Sequence, residues 1–514
     1  MPERTIDELV RSRAARHGAK PMVIDPAARI SYRELEPTTR DLAAVFVEAG
    51  VGKGSRVGLI MPNGARWVRV AIALARIGAV LVPLSTLLRP GELVAQLRTA
   101  SVQFLVSVAE FRGHRYLADL QSVPPLDLPA LRQVWPADRL ARATAGEKAR
   151  RIVDALAETV TPADPLVVMF TSGSSGTPKG VIHSHGNALG AVRAGLAARC
   201  ITSDTRLYLP MPFFWVGGYG SGILSALLAG ATLVTEEMPR PETTLRLLEA
   251  ERVTLFRGWP DQAEALARHA DKVDADLSAL RPGSLEALLP PERRAQPGAR
   301  AALFGMTEAF GPYCGYAADT DMPPSAWGSC GKPFPGMEVR IVDADGRPVP
   351  PGSVGEIQIR GPHTLRGICR RGREELFTPD GFYPTGDLAH FDDDGFLFYH
   401  GRCDDMFKVS GATVYPGEVE QALRTIDGVD NAYVTNVPGT QGERVGAAVV
   451  CNRALTAEQL RGSARKLLSA FKVPAVWLVL ESDDDVPRGA TGKVDTKRLR
   501  EMLLRQDHQG ASQG

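Results

Sequence analysis

Thr171-Ser-Gly-Ser-Ser-Gly-Thr-Pro-Lys179-Gly180 is the stretch that decides how this chain folds. It follows directly on the apolar run Leu166–Phe170, and Val181-Ile182 resumes apolar sequence after it. A Gly/Ser/Thr loop between two buried strands presents backbone N–H groups, small hydroxyls and one ammonium, which together suit a polyphosphate. The sequence therefore predicts a phosphate-binding loop rather than a flexible Ser/Gly linker.

The loop does not match the Walker A pattern of GTPases and ATPases, Gly-x-x-x-x-Gly-Lys-Ser/Thr. The position five residues after Gly173 is Pro178, and the residue after Lys179 is glycine. The loop therefore represents another class of phosphate site. The residues that it offers to a phosphate are Thr171, Ser172, Gly173, Ser174, Ser175, Gly176, Thr177 and Lys179.

Composition and charge exclude several classes of function. The chain has 514 residues, a net charge of +1, 44% hydrophobic and 23% charged residues, which is typical of a soluble globular enzyme of several domains. The balanced charge gives no reason to expect nucleic acid as a partner, and no apolar run is long enough for an integral membrane segment. The six cysteines stand singly. Neither a disulfide framework nor a zinc site is predicted, and a cytoplasmic location is expected.

Hydrophobic periodicity divides the chain into regions. Helical and strand-like segments alternate from the capping box Thr5–Glu8 onward and again after the loop, which predicts parallel sheets flanked by helices. From Gly328 short runs punctuated by Gly and Pro predict an antiparallel unit. The predicted fold is α/β: a large N-terminal domain over 1–402, made of two doubly wound α/β subdomains (1–160 and 161–327) and a small β-barrel-like subdomain (328–402), followed by a small α+β C-terminal domain over 403–514.

Two segments have predictions of their own. Gly220–Leu228 is predicted to be a helix in the alternation of helices and strands that resumes after the loop. Gln506–Gly514 is polar and is predicted to be a frayed tail.

Phe304-Gly-Met-Thr-Glu308 combines an aromatic ring, a hydroxyl and a carboxylate. An aromatic ring can stack on a base, the Thr307 hydroxyl can bond a phosphate, and Glu308 can ligate the Mg²⁺ that accompanies a triphosphate. Taken alone, the segment favours the simpler interpretation as the start of a helix with a surface glutamate.

Five segments stand in one order along the chain: the loop, Phe304–Glu308, Tyr383-Pro-Thr-Gly-Asp387, Gly401-Arg-Cys-Asp-Asp-Met-Phe-Lys408-Val-Ser-Gly411 and Pro487-Arg-Gly-Ala-Thr-Gly-Lys493. This series resembles the signature of the ATP-dependent adenylate-forming superfamily, which includes acyl-CoA synthetases, peptide-synthetase adenylation domains and beetle luciferases. The chain resembles the acyl-CoA synthetase, or AMP-dependent ligase, type over residues 5–500.

The resemblance implies a two-step reaction. ATP activates a carboxylic acid to an acyl-adenylate with release of pyrophosphate, and the thiol of coenzyme A then displaces AMP. The implied ligands are ATP, Mg²⁺, coenzyme A and a small-molecule acid. By position in the series, the loop would hold the β- and γ-phosphates, Phe304 the adenine, Thr307 the α-phosphate, Glu308 the Mg²⁺, and Asp387 with Arg402 the ribose.

The resemblance also implies a mobile C-terminal domain. Lys493 matches the lysine that bridges the carboxylate and the α-phosphate during adenylation. Asp404 matches the hinge about which the small domain rotates between the two steps. After rotation, Lys408 would serve the thioester step and Gly411 would leave room for a pantetheine arm.

The acyl pocket is expected beside Pro212-Phe-Phe-Trp215-Val-Gly217-Gly218, where Trp215 stands at a position that many relatives fill with histidine. No Asp, Lys or Arg stands among the candidate lining residues, so an apolar fatty or aryl/alkyl acid is predicted. The candidates are Trp215, Gly218, Trp259, Phe310 and Tyr313.

One segment departs from the family pattern. Arg281–Leu303 is shorter than its counterpart in relatives and lacks the glycine pair of the strand that walls the adenine. Either the turn at Gly283-Ser284 substitutes for that strand, or the adenine and acyl pockets are more open than usual.

His183 and His185 follow the loop and are expected to pack or cap, because an ionised carboxylate needs no base. Asp392-Asp-Asp394-Gly395 is expected to be a hairpin turn rather than a calcium site.

Two other functions stay open beside that of an acyl-CoA synthetase. One is an acyl-AMP ligase that loads a carrier protein in trans, and the other is a nucleotide-binding pseudoenzyme. The acid, its chain length, the pathway and the oligomeric state stay open, a homodimer included.

Overall fold

A computed structural model of the protein describes residues 4–140, 143–172, 178–258, 260–403, 407–414, 416–439, 442–487 and 494–511. The chain divides into two compact units. The first comprises Met1–Thr86, Gln96–Phe170 and Gly180–His400, and the second comprises Leu87–Ala95, Thr171–Lys179 and Gly401–Gly514.

Helices and strands alternate along most of the chain. The α-helices are α1 (Ile6–His17), α2 (Tyr32–Glu48), α3 (Ala65–Arg76), α4 (Pro90–Thr99), α5 (Tyr116–Gln121), α6 (Ala137–Leu140), α7 (Glu147–Thr159), α8 (His185–Ala194), α9 (Ser225–Ala229), α10 (Pro241–Ala250), α11 (Pro260–Val273), α12 (Pro416–Arg424), α13 (Ala457–Leu467) and α14 (Thr496–Ala511). The strands are β1 (Pro21–Asp25), β2 (Ala28–Ser31), β3 (Arg56–Ile60), β4 (Val80–Pro83), β5 (Phe104–Ser107), β6 (Gln133–Pro136), β7 (Pro165–Ser172), β8 (Pro178–Ser184), β9 (Arg206–Tyr208), β10 (Thr232–Val234), β11 (Leu255–Phe256), β12 (Phe304–Met306), β13 (Gly311–Gly315), β14 (Lys332–Pro333), β15 (Glu338–Val342), β16 (Gly355–Arg360), β17 (Gly367–Ile368), β18 (Tyr383–Phe391), β19 (Leu397–Arg402), β20 (Phe407–Val409), β21 (Ala412–Val414), β22 (Val429–Gly439), β23 (Gly442–Cys451) and β24 (Val476–Leu480).

The first unit contains two largely parallel sheets. The seven-stranded sheet has the order β17-β8-β7-β4-β3-β5-β6, and the five-stranded sheet has the order β11-β9-β10-β1-β2. Neighbouring strands from β7 to β6, and from β11 to β1, run parallel. The prediction of an α/β fold with parallel sheets is confirmed.

Side-chain caps determine where α1 and α2 begin, and a continuous apolar core packs the helices of the first unit together. Thr5 and Ser31 form capping boxes with Glu8 and Glu34, as the sequence patterns predict. α3 is buried along almost its whole length, and its Trp67 ring lies against the rings of Phe213 and Tyr219 at 5.4 and 5.7 Å. This helix therefore joins the two halves of the unit in one core.

Antiparallel strands follow, as predicted. β15 pairs with β16 and β16 with β18 in a four-stranded sheet completed by β19. Gly395, at φ +80°, closes the turn before β19, and its N–H donates to the Asp392 carbonyl at 3.1 Å. The acidic cluster is therefore a turn, as expected.

The second unit has α+β architecture. β22, β23 and β24 form one sheet, and β20 and β21 form a separate hairpin. The prediction of a frayed tail from Gln506 is wrong, because α14 continues to Ala511. Leu499 and Leu503 of this helix are buried in the same apolar cluster as Val437 of β22. This burial stabilises the helix although most of its residues are polar.

Within the described ranges, no helix combines the length and apolar character needed to cross a bilayer.

Candidate active site

β7 and β8 carry the phosphate loop. β7 is buried over Leu166–Met169 and lies beside β4 near the centre of its sheet. A Cβ at Gly180 would lie 2.9 Å from Val168 Cγ1 and 3.0 Å from Cys369 Sγ, so glycine lets the chain leave the loop between closely packed neighbours. Thr171 and Lys179 are half-buried. The predicted ligands Gly173, Ser174, Ser175, Gly176 and Thr177, and the side chain of Ser172, lie outside the described residues.

His183 ties β8 to the turn that carries Thr307. Its Nε2 lies 2.7 Å from the Thr307 carbonyl oxygen, so this nitrogen carries the proton and donates it. The ring packs edge-on against Phe310 at 5.0 Å. Burial lowers the pKa of His183 to about 4, so the imidazole is neutral at pH 7. Among the described residues, its buried Nδ1 meets no hydrogen-bond donor.

His185 has a packing role, as expected. It begins α8 after the N-cap Ser184, and its Nδ1 accepts from the Ile6 N–H at 3.3 Å. Burial lowers the pKa of His185 to about 4. Neither histidine is placed to act as a charged group.

Thr307 and Glu308 lie in a 3-10 turn between β12 and β13. The Phe310 N–H closes the turn by donating to the Thr307 carbonyl at 2.9 Å. Phe310 itself has φ +54°, an uncommon conformation for a bulky residue. Its ring is buried against His183 and Tyr219, and this packing holds the turn in place.

Tyr383 connects Glu308 with the segment that contains Asp387. Its hydroxyl donates to Glu308 Oε1 at 3.4 Å, and the Leu365 N–H donates to the Glu308 carbonyl at 2.8 Å. Glu308 is buried. Sequence reasoning gave Tyr383 no role, although the tyrosine stands inside one of the quoted motifs.

A bulge in β18 sets the position of Asp387. Thr385 to Asp387 stand opposite the single residue Ile357 of β16, and Gly386 has φ +74°. The Asp387 N–H donates to Thr385 Oγ1 at 3.1 Å, and the Thr385 hydroxyl donates to the Ile357 carbonyl at 2.9 Å. Such bulges re-aim a side chain without ending the strand.

Phe304 lies in an aromatic cluster close to Asp387. Its ring centroid is 5.6 Å from that of Tyr313 and 4.9 Å from that of Tyr399. Burial, and then the charges of Cys314 and Asp387, raise the pKa of Tyr313. Tyr313, predicted to line the acyl pocket, therefore lies on the side of Phe304 and Asp387. The first unit thus brings Phe304, Thr307, Glu308 and Asp387 together.

The structure describes only some of the site residues that were predicted near the C-terminus. Lys408 is exposed in β20, opposite Thr413 of β21, and Ser410 and Gly411 form the intervening turn at φ +48° and +78°. Arg402 is half-buried at the end of β19. Asp404 and Lys493 lie outside the described residues.

Trp215 lies on a bend after β9, and Gly218 lies in the first turn of the helix that follows. The Trp215 N–H donates to the Pro212 carbonyl at 3.0 Å, and the Trp215 ring lies 5.6 Å from the Phe214 ring. A Cβ at Gly218 would overlap the Pro212 carbonyl oxygen, so this position requires glycine. Trp259, also predicted to line the acyl pocket, lies outside the described residues.

A helix is present over Gly220–Leu228, as predicted, but its first half is a π-helix rather than an α-helix. Gly217–Leu224 is a π-helix, and α9 begins only at Ser225. A Cβ at Gly220 would lie 3.1 Å from Phe310 Cε1, so the wide helix brings its backbone against the Phe310 ring. The four glycines between 217 and 222 are the signal that could have indicated an irregular helix, and π-helical turns often occur at functional sites.

The turn at Gly283-Ser284 occupies the edge of β11. The Arg281 N–H donates to the Thr254 carbonyl at 3.0 Å, and the Leu285 N–H donates to the Phe256 carbonyl at 3.0 Å. The Ser284 hydroxyl accepts from the Phe256 N–H at 3.1 Å. Of the two alternatives for the shortened segment, this geometry favours the turn as a substitute for a strand.

Glu308 has the chemistry of a Mg²⁺ ligand. Its buried carboxylate supplies hard oxygens next to Thr307, and Mg²⁺ usually takes one or two protein carboxylates together with substrate phosphates. No group of three or more His, Cys, Asp or Glu side chains able to hold a metal occurs in the described ranges. The chemistry of the Glu308 carboxylate therefore fits a Mg²⁺ that is also bound by a nucleotide.

Comparisons with known proteins identify the family of this chain. Residues 10–369 match the model of the family described as AMP-binding enzyme, and residues 418–493 match that of the AMP-binding enzyme C-terminal domain. The chain is 33% identical over 498 residues to the 3-[(3aS,4S,7aS)-7a-methyl-1,5-dioxo-octahydro-1H-inden-4-yl]propanoyl:CoA ligase of Mycobacterium tuberculosis, covering 92% of this chain and 94% of that protein. It is 31% identical over 494 residues to the feruloyl-CoA synthase of an Amycolatopsis species, covering 94% of each.

Solved structures show the same architecture. The amide bond synthetase McbA from Marinactinospora thermotolerans superposes with a TM-score of 0.78 at 27% identity, covering 96% of this chain and 99% of that chain. The chain therefore belongs to the AMP-binding enzyme family of the adenylate-forming superfamily, as an AMP-forming acid–thiol ligase of the acyl-CoA synthetase type.

Proposed function

We propose that the protein activates an aryl or alkyl carboxylic acid with ATP to an acyl-adenylate, releases pyrophosphate, and transfers the acyl group to the thiol of coenzyme A. The observation that carries the proposal is the convergence in one unit of Phe304, the Thr307–Glu308 turn and Asp387, with the Tyr383 hydroxyl joining Glu308 to the Asp387 strand.

The first step brings two anions together, a carboxylate and a phosphate, and so requires fixed donors and positive charge. Thr307 is proposed to bond the α-phosphate and Glu308 to hold Mg²⁺, whose charge neutralises the phosphate oxygens when bound. Phe304 would stack on the adenine. Asp387, supported by Arg402, would accept from the ribose hydroxyls. The loop residues from Thr171 to Lys179 would hold the departing pyrophosphate.

Different C-terminal residues are proposed to act in adenylation and in thioester formation. Lys493 would bridge carboxylate and α-phosphate in adenylation, whereas Lys408 and Gly411 would serve thioester formation. The proposed domains are 1–402 and 403–514, with the hinge at Asp404. The two family models, which end at 369 and begin at 418, are compatible with a boundary in this interval.

The proposed substrate class rests on lining and on relatives. The ring of Phe310 and the turn with Trp215 supply apolar surface, and Trp259 is proposed to add to it. The two named relatives act on a bicyclic propanoic acid and on ferulic acid, which are an alkyl and an aryl acid. Both observations favour acids with a bulky hydrocarbon body.

Pyrophosphate release tests the first step. The purified protein is mixed with ATP, Mg²⁺ and each of a panel of aryl, aryl-alkanoic and fatty acids, with the Asp387→Asn variant as the control. Acid-dependent release by wild type and its loss in the variant are expected. Measurable ATP binding with no release for any acid would instead identify a nucleotide-binding pseudoenzyme.

A second assay decides the acceptor. With the best acid of the panel, free coenzyme A and a pantetheinylated carrier protein are compared as acceptors, and thioester formation is followed by mass spectrometry. Acyl-CoA as the main product is expected. Acylation of the carrier protein alone would make the protein an acyl-AMP ligase that acts on a carrier in trans.

A further inference from the structure

A buried histidine joins two segments that the sequence predicted to bind ATP. His183 lies on β8, the strand that leaves the phosphate loop, and its side chain is fully buried. Its Nε2 donates to the Thr307 carbonyl oxygen at 2.7 Å, across 124 positions of the chain. That carbonyl belongs to the residue whose hydroxyl is proposed to bond the α-phosphate. The proposed reaction uses Thr307 but gives His183 no part.

Phe310 packs against the imidazole of His183 and shares its acceptor. The two rings meet edge-on at 5.0 Å, and the Phe310 N–H donates to the same Thr307 carbonyl at 2.9 Å. A carbonyl oxygen has two lone pairs, so it can accept both hydrogen bonds at once. A rotated imidazole would lose its bond in a site without water, where such a loss is costly. The Thr307 main chain is therefore held at a fixed distance from β8.

A second connection fixes the turn at its next residue. The Leu365 N–H donates to the Glu308 carbonyl at 2.8 Å, and the N–H of the residue after Leu365 donates to the Ile182 carbonyl of β8 at 2.8 Å. Two consecutive residues of the turn are thus attached to two consecutive residues of β8. The attachment at Thr307 is made by the His183 side chain. A substitution can therefore remove it while the backbone attachment at Glu308 stays in place.

We propose that His183 is a positioning residue for adenylation, because its hydrogen bond to the Thr307 carbonyl sets the direction of the Thr307 hydroxyl and thereby the orientation of the α-phosphate. This inference rests on the proposed function and adds a residue to it. In this step a carboxylate oxygen forms a bond to the α-phosphorus, the bond to the pyrophosphate oxygen breaks, and no proton is transferred. The attacking and departing oxygens must lie in line. A misplacement of about 1 Å can cost roughly 100-fold in rate even when ATP is bound.

His185 separates this role from simple packing. It is also fully buried, and burial lowers its pKa to about 4, as it does for His183. Its Nδ1 accepts from the Ile6 N–H of α1 at 3.3 Å. The two histidines thus agree in residue type, burial and charge, but the hydrogen bond of His185 leads to α1 and not to the Thr307 turn.

The two diastereomers of ATPαS report the orientation of the α-phosphate directly. Each carries sulfur in place of one of the two non-bridging α-phosphate oxygens, so an oriented donor accepts one form better than the other. Pyrophosphate release is measured with Mg²⁺, the best acid of the panel and the Sp or Rp form. The ratio of the two kcat/KM values is the readout. Wild type is expected to prefer one form by about 10-fold or more, as loss of one charged hydrogen bond implies.

Substitutions of the two histidines show whether His183 causes this preference. His183→Leu should lower the diastereomer ratio at least about threefold and kcat with ATP about 10- to 100-fold, while KM for ATP changes less than about threefold. His183→Gln should restore most of both values, because its amide nitrogen can take the place of Nε2. His185→Leu should lose stability in urea unfolding and keep the wild-type ratio. Thioester formation from a supplied acyl-adenylate should be unchanged in all three.

The other outcomes overturn the proposal or the function beneath it. A wild-type ratio in folded His183→Leu, or an equal fall of the ratio in His185→Leu, overturns the positioning role. Equal slowing of thioester formation does so too, since it shows a general loss of structure. If His183→Leu does not fold, His183→Asn replaces it, because its amide ends closer to the backbone than Nε2 and misses the Thr307 carbonyl. A wild-type protein without a preferred diastereomer overturns the proposal without any variant. Failure of every acid to release pyrophosphate from ATP would instead contradict the proposed function.

Discussion

Tyr383 fixes the carboxylate that is proposed to hold Mg²⁺. Its hydroxyl donates to Glu308 Oε1 at 3.4 Å, a long hydrogen bond that keeps the carboxylate oriented rather than neutralised. For Tyr383→Phe, the Mg²⁺ concentration at half-maximal pyrophosphate release should rise about threefold to tenfold, as for loss of one neutral hydrogen bond. The rate at saturating Mg²⁺ should change little.

A matched control separates this effect from general loss of stability. The buried Tyr116 hydroxyl donates to the Thr86 carbonyl at 2.7 Å, away from the Thr307–Glu308 turn in sequence and sheet. Tyr116→Phe should lower stability without altering the Mg²⁺ requirement. An unchanged Mg²⁺ requirement in Tyr383→Phe would contradict the orienting role.

Lys493 is predicted to act in only one of the two steps. Lys493→Ala should slow pyrophosphate release by roughly 100-fold or more, because a cation aimed at developing charge is lost. Thioester formation from a supplied acyl-adenylate should be spared. The measurement is a pair of single-turnover assays on the same preparation, and equal loss in both would refute the assignment.

The buried histidines make stability depend on pH. His183 and His185 have a pKa lowered to about 4 in the folded protein against an ordinary 6.5. The unfolded chain therefore binds protons first, and the contribution of each to stability is complete above pH 6.5 and is lost as the pH falls from 6.5 toward 4. The free energy of unfolding should fall by about 1 kcal/mol per histidine per pH unit below pH 6.

Urea unfolding at pH 7.5 and pH 5 measures this loss. The double variant His183→Gln/His185→Gln removes both groups and should lose less stability between the two pH values than wild type, although it is less stable at pH 7.5. Equal losses in the two proteins would show that other groups cause the pH dependence.

At the scale of elements, the π-helix Gly217–Leu224 places the backbone against the Phe310 ring and the Pro212 carbonyl. Gly218→Ala adds a methyl group that overlaps this carbonyl, so the turn or the helix must move. A loss of about 1–3 kcal/mol in the free energy of unfolding is expected, as for overpacking of a core, together with weaker acid binding.

Gly462→Ala is the matched control for this substitution. Gly462 lies in the interior of α13, and a Cβ there would contact nothing within 4 Å. Helix propensity alone should then stabilise the protein by up to about 1 kcal/mol. A destabilisation of equal size in both variants would mean that the close packing at Gly218 is not the cause.

At the scale of the whole molecule, Arg76 joins three helices of the first unit. It is fully buried in α3, and its guanidinium pairs with Asp7 of α1 at 2.7 Å and Glu36 of α2 at 2.8 Å. Arg76→Met leaves Glu36 without its cation and leaves Asp7 with only its partly exposed partner Arg11, at 2.8 Å. A loss of about 3–5 kcal/mol in the free energy of unfolding is expected.

An exposed pair on the same helix provides the comparison. Arg66 of α3 pairs with Asp138 at 2.8 Å, but both side chains are open to solvent. Arg66→Met should therefore cost less than about 1 kcal/mol in urea unfolding. Similar costs for the two variants would contradict the role given to burial.

Elements with a strong local signal could be predicted from the sequence. The capping box at Thr5 begins α1, and helices and strands alternate after it as predicted. Local signals failed where distant packing decides, as for the π-helix against Phe310 and for α14, which burial of Leu499 and Leu503 extends to Ala511.

The sequence by itself determined the family and the order of the chemistry. Its five motifs are recognised by residue type and spacing, which are local properties of the sequence. They indicate which residues would bind ATP, Mg²⁺ and the thiol. The parallel α/β fold follows as well, because alternating apolar periods allow few other architectures.

Only the tertiary structure decided which distant residues meet. It joined His183 to Thr307 and Tyr383 to Glu308, pairs that are 124 and 75 positions apart in the chain. Such contacts depend on how sheets and turns stack, and the charge of a buried group depends on what surrounds it. His183 is therefore neutral at pH 7, because the fold buries its imidazole against Phe310.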